Sequence, residues 1–228
     1  MSIKVNRSDT IWSFVRTFFS FGSGIIILPF VMFYLGEEDL GIYYVFLSVS
    51  MISTFFDFGF NPSFSRNIAY SWSGAKSLNE EDIHSSDCGE PNFLLMAKTI
   101  SACKIVYLAI SCIALLLLLT IGTNYIERVT QNISDGLNMI AWMIYVIGIF
   151  LNLLFGYYTA LLRGVGAIAA VNRANIISRG TQILITIILL AFDFQLIGVA
   201  IGYSTSGLLF RLLAKNEFFN YKNMDRLH

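Results

Sequence analysis

The chain has 228 residues, of which 56% are hydrophobic and only 13% charged, and its 15 basic and 15 acidic side chains cancel. Soluble domains carry about 25% charge, so a chain of mean hydropathy +0.66 has too little polar surface to clothe a soluble core. An ordinary soluble enzyme, a disordered chain and a nucleic-acid binder are excluded, and an integral membrane protein is implied.

Six apolar segments follow in order, at about residues 11–34, 40–60, 93–121, 137–162, 173–192 and 195–214. A membrane helix needs about 20 mainly apolar residues. The segments are too long for barrel strands and do not alternate, so an all-α polytopic membrane protein with six transmembrane helices is expected. The first segment reads as a span rather than a signal peptide: it is long, holds Arg16 and Pro29, and lacks a small-x-small cleavage site. Its Gly22, Gly24 and Pro29 predict a bent helix. Residues 61–92 form the one long polar loop. Residues 62–72 are read as a short interfacial helix with Phe64, Ile68 and Trp72 on one face, and residues 77–91 as an acidic, mobile stretch. In the sixth span Gly198, Gly202 and Ser206 make a small-residue stripe suited to close helix packing.

Basic residues select the orientation. Lys4, Arg7, Arg66, Lys76, Arg163, Arg173, Lys215, Lys222 and Arg226 fall on one side, while Glu37, Glu38, Asp39 and Asp193 fall on the other with Arg128. Basic loops stay in the cytoplasm, which predicts cytoplasmic N- and C-termini and a cytoplasmic loop 61–92. Cys88, Cys103 and Cys112 form no framework, and His84 and His228 have no metal-binding spacing. No acid/base pair, nucleophile triad or metal cluster is visible, so neither an enzyme nor a cofactor is expected. Asp57-Phe-Gly59 lacks the companions of a kinase, and Gly164-Val-Gly166 lacks the third glycine of a nucleotide loop. The sequons at Asn6 and Asn132 matter only in a secretory pathway.

Ionisable groups inside a bilayer cost about 2.5–3.5 kcal/mol at mid-span on insertion scales. Arg16, Asp57, Lys98, Lys104, Arg179 and Arg211 all lie in the apolar segments. Helical spacing groups Ser13, Arg16, Ser20 and Ser23 on one face, Ser50, Ser53 and Asp57 on another, and Asn172, Asn175, Arg179 and Gln182 on a third. Lipid cannot satisfy such stripes, so an enclosed hydrated cavity is expected; the other reading is a set of interhelix hydrogen bonds. Similar depth on neighbouring helices predicts an Arg16–Asp57 ion pair, with snorkelling of Arg16 as the alternative. Lys98 is open to the same two readings. Lys104, about eleven residues into its helix, is expected to face the cavity. The inner half of that cavity would be cationic and suited to an anionic headgroup such as a phosphate.

The run Gly24-Ile-Ile-Ile-Leu-Pro29 is followed by Tyr34-Leu-Gly36-Glu-Glu-Asp-Leu-Gly41-Ile-Tyr-Tyr44. Next come Phe56-Asp57-Phe-Gly59-Phe60 and Ser63-x-x-Arg66-x-x-Ala69. This order resembles the opening of Wzx-type O-antigen and polysaccharide flippases. They form the polysaccharide-transporter branch of the multidrug/oligosaccharidyl-lipid/polysaccharide exporter superfamily. Tyr158-x-x-Leu161-x-Arg163-Gly164 and the stretch from Asn172 to Arg179 are a second match. The resemblance covers nearly the whole chain, though its motifs are degenerate.

It implies translocation of undecaprenyl-pyrophosphate-linked oligosaccharide repeats across the inner (cytoplasmic) membrane of a bacterium, for surface polysaccharide assembly. It also implies two rocking six-helix lobes coupled to an ion gradient. Arg16, Asp57, Arg66, Arg163 and Arg179 would match the family's cavity positions, to which Lys98, Lys104 and Asn175 are added from the residues themselves. Family members have twelve or more spans, so six correspond to one lobe. The expectation is a truncated product, a half-transporter completed by another chain, or a homodimer. The alternatives are a small-molecule exporter of the same superfamily and an inactive membrane fragment or scaffold.

Overall fold

In a computed structural model, residues 7–57, 59–75, 91–131 and 136–221 are described, apart from the side chains of residues 7–10, 18, 20, 21 and 23. They are nearly all helical. Helix α1 spans Arg7–Tyr34, α2 Glu37–Phe55, α3 Phe60–Trp72 and α4 Phe93–Leu117. After a π-helical turn at Leu118–Gly122 come α5 (Thr123–Thr130), α6 (Leu137–Leu154), α7 (Tyr157–Gly164), α8 (Ile168–Ala191) and α9 (Gln195–Phe219). The acidic loop 77–91 lies almost wholly outside the described residues. So do Lys4, Lys76, His84, Cys88, the Asn132 sequon, Lys222, Arg226 and His228.

Four helical stretches are long and apolar enough to cross a membrane: Phe93–Thr130, Leu137–Gly164, Ile168–Ala191 and Gln195–Phe219. A fifth is counted if α2 and α3, which meet at a 43° bend, form one broken span. The expected first span is one continuous helix through Pro29, but among the described residues its apolar stretch is only Gly24–Tyr34. Large apolar side chains stand exposed around the perimeter, among them Phe33, Phe55, Ile105, Leu116, Leu184 and Leu212. Only 17% of the most apolar window of Phe93–Thr130 is buried inside the molecule. This helix therefore turns most of its surface to an apolar surrounding, as a membrane-embedded chain requires.

Local chemistry sets the helix ends. Glu37, Glu38 and Asp39 occupy the first turn of α2, where negative charge offsets the positive end of the helix dipole. The Asn92 side chain caps α4 by accepting from Leu95 N at 3.0 Å, and its Nδ2 donates to Ala75 O at 3.1 Å. The end of α3 and the start of α4 are thereby tied together. Gly166, at φ +83°, reverses the chain between α7 and α8, a backbone state that glycine adopts without a Cβ penalty.

The helices pack out of sequence order. α8 lies between α1 and α9, α9 also packs on α6, and α6 carries α2 and α4. The small stripe of α9 fits closely against α8. A Cβ on Gly202 would run into Thr186 Oγ1, and one on Gly198 would come within 2.8 Å of Leu189 Cβ. The Ser204 hydroxyl donates to Ile144 O of α6 at 2.8 Å.

Two apolar clusters close the ends of the bundle. One joins α3, α4 and α7 to the end of α9 around Ile68, Met96, Leu162 and Phe218. The other joins the end of α1, the start of α2 and α6 around Val31, Phe46 and Trp142. In α3, Ile68 and Trp72 are buried and Phe64 packs against the first cluster. The face expected to lie on the membrane interface is covered by protein instead, because α7 and α4 offer an apolar partner for it.

Candidate functional site

Hydroxyl, amide and guanidinium groups interrupt the apolar interior beside the second cluster. A cavity of about 490 Å³ is lined from α1, α2, α6, α8 and α9, with Tyr43, Ser50, Ser53, Tyr145, Arg179, Gln182, Thr186 and Tyr203 among its walls. A smaller one of about 140 Å³ is lined by Thr159, Asn175, Ser178 and Ser206, and shares Asn152 and Arg179 with the first. Arg179 thus stands at the junction, its guanidinium donating to Gln182 Oε1 at 2.8 Å. Its charge also reaches the Tyr145 and Tyr203 hydroxyls. Ser50 Oγ and Tyr145 OH share a hydrogen bond at 2.5 Å. The Tyr145 ring lies between Phe46, at 4.5 Å between centroids, and Tyr203, at 4.6 Å.

Two further arginines, Arg16 and Arg163, line neither cavity, but Arg16 stands within charge range of Arg163 and Arg179. Arg16 of α1 is half-buried, and the charges that act on it are Arg163, in the last turn of α7, and Arg179 of α8. All of them are half-buried, and no carboxylate is among the described charges acting on Arg16. Like charges held together away from bulk water are mutually costly. Such a cluster is stabilised by an anion that bonds several guanidinium groups at once.

The polar stripes divide between cavity and packing. Asn175, Arg179 and Gln182 line the cavities. Asn172 is buried and donates to Ser13 Oγ at 2.9 Å, tying α8 to α1. Ser50 and Ser53 line the larger cavity. Asp57 does not pair with Arg16. It accepts a hydrogen bond from Tyr107 OH at 2.5 Å, because α1 packs along α8 and makes no extended contact with α2. Asp57 is therefore a tie between the end of α2 and α4. Replacing Tyr107 with Phe is expected to lower stability by about 1–3 kcal/mol by leaving the carboxylate without this donor, read as a fall in thermal unfolding temperature in detergent. An unchanged temperature would remove the tie.

Arg66, Lys98 and Lys104 are exposed and line neither cavity. Lys104 does not face the polar interior. The buried stripe of α4 runs through Met96, Ile100, Cys103, Tyr107 and Ala114, and Lys104 stands exposed at its edge. Arg211 is likewise exposed, with its guanidinium 4.4 Å from the centre of the Phe155 ring. The cavity tyrosines and Asn152 escaped sequence reasoning because nothing in their spacing separates them from core residues. Their only signal is one turn-by-turn coincidence, Tyr43, Leu47 and Ser50 on a single face of α2.

No protein-family model matches the chain, and neither does a curated protein or a solved structure.

Proposed function

We propose that the chain is a six-span lobe of a flippase that moves undecaprenyl-pyrophosphate-linked oligosaccharides across a bacterial inner membrane, with both termini in the cytoplasm. The observation that carries this reading is that Arg163 and Arg179 stand within charge range of Arg16, with Arg179 on the wall of a cavity that also carries hydroxyl and amide groups. Three guanidinium groups from three helices suit the several oxygens of a pyrophosphate. The six spans of this reading are those at about residues 11–34, 40–60, 93–121, 137–162, 173–192 and 195–214. A second lobe, on another chain or in a second copy, would complete a path between two lobes.

Transport separates this reading from its rivals. Purified protein in proteoliposomes should bind undecaprenyl pyrophosphate and move its sugar-linked form between leaflets, while ignoring quaternary ammonium compounds. Binding of the cations but not the pyrophosphate would favour a small-molecule exporter. Binding of neither would leave a scaffold.

A further inference from the structure

From Arg179 to Thr186, α8 advances seven residues, about 10 Å at 1.5 Å per residue, and Arg179, Gln182 and Thr186 all line the larger cavity. Its volume of about 490 Å³ lies within the roughly 300–1,000 Å³ of small-molecule sites. The chemistry changes along this path. Among the described residues, Arg179 brings the one formal charge on the cavity wall. Around it, Ser50, Tyr203, Asn152 and Gln182 offer hydroxyl and amide groups, beside the apolar side chains of Leu47 and Val199. Neutral donors and acceptors facing an apolar wall complement a sugar ring, whose edge carries hydroxyl or acetamido groups and whose face carries C–H bonds.

Access is lateral. Apart from the apolar cluster that joins the end of α1 to the start of α2, the described residues of these helices make no extended contact, and the cavity residues Gly24, Met51 and Thr54 on them are exposed. A headgroup could enter sideways through this slot while its lipid tail stays in the bilayer.

We propose that the larger cavity is a saccharide subsite inside the lobe: it holds the neutral sugar nearest the pyrophosphate, admitted between α1 and α2, while the pyrophosphate rests on the arginines. The subsite presupposes the flippase reading, and its test distinguishes the two. The full chain in nanodiscs is titrated with undecaprenyl pyrophosphate, bare or carrying one N-acetylhexosamine. The sugar-bearing lipid should bind at least about fivefold tighter. Leu47→Trp, which fills the cavity, and Tyr203→Phe, which removes a hydroxyl, should each cut that advantage to below about twofold. Both variants should bind the bare lipid as the parent does, which also shows that they are folded. Equal binding of the two lipids by the parent overturns the subsite and leaves the flippase reading standing. A sugar advantage that survives in both variants overturns it as well. Failure to bind either lipid overturns the flippase reading and the subsite with it.

Discussion

Replacing Arg179 with glutamine lowers the affinity for undecaprenyl pyrophosphate by about 10- to 100-fold, the size expected when hydrogen bonds to a charged partner, worth about 1.5–3 kcal/mol, are lost. Arg16→Gln has a loss of the same order. The reason is electrostatic: the charges acting on Arg16 are those of Arg163 and Arg179, so one anion could be shared among guanidinium groups from α1, α7 and α8. Arg179 has the second task of holding Gln182 Oε1 at 2.8 Å, so its loss also frees an amide on the wall of the larger cavity. Lys104→Met is the matched contrast. It removes a charge that the sequence places deep in a span, but one exposed on α4 and off both cavities, and it leaves the affinity within about twofold. Isothermal titration in nanodiscs measures all three. If Lys104→Met matched the arginine losses, the anion would bind on the outer face of α4 and not in the interior.

The same contrast shows which features were legible in the sequence. Periodicity within one helix was readable. Asn172, Asn175, Arg179 and Gln182 do share an inward face of α8, and Gly198 and Gly202 do let α9 close on α8, while Ser206 lines the smaller cavity. Partners between helices were not readable. Arg16 and Asp57 sit at similar depth in consecutive apolar segments, yet α1 packs on α8, far away in sequence. Nothing local encodes that choice. Rotation about a helix axis is equally hard to read when both sides are apolar. Lys104 is flanked by Cys103, which is buried, and Ile105, which is exposed, and hydropathy does not rank the two. The break between α6 and α7 at Phe155 and Gly156 lies within a continuous apolar run, so 137–162 read as a single unbroken span. The cavity tyrosines were hidden for a related reason, since an aromatic ring fits a lipid face, a core and a binding wall alike.

Glycine substitution gives the sharpest stability contrast, and it reaches the arginine cluster. Gly164 ends α7 directly after Arg163, where α3 crosses. A Cβ there would lie 2.5 Å from both Cβ and Cγ2 of Ile68, and 2.8 Å from Ser65 O. Ile68 is fully buried and β-branched, so it cannot swing aside, and Ser65 O belongs to the backbone. Gly164→Ala must therefore push α3 and α7 apart. Overpacking of this kind costs about 1–3 kcal/mol, and the shift carries Arg163 with it, so anion affinity falls together with the unfolding temperature. Gly180, in the interior of α8, has nothing within 4 Å of an added Cβ. Gly180→Ala relieves the helix of glycine's flexibility and raises stability by about 0.5–1 kcal/mol. Thermal unfolding of the two variants in one detergent reads the difference as shifts of opposite sign. A Gly164→Ala protein as stable as its parent would mean that α3 does not dock against α7 at Gly164, and with that docking would go the account of how Arg163 is held beside Arg16.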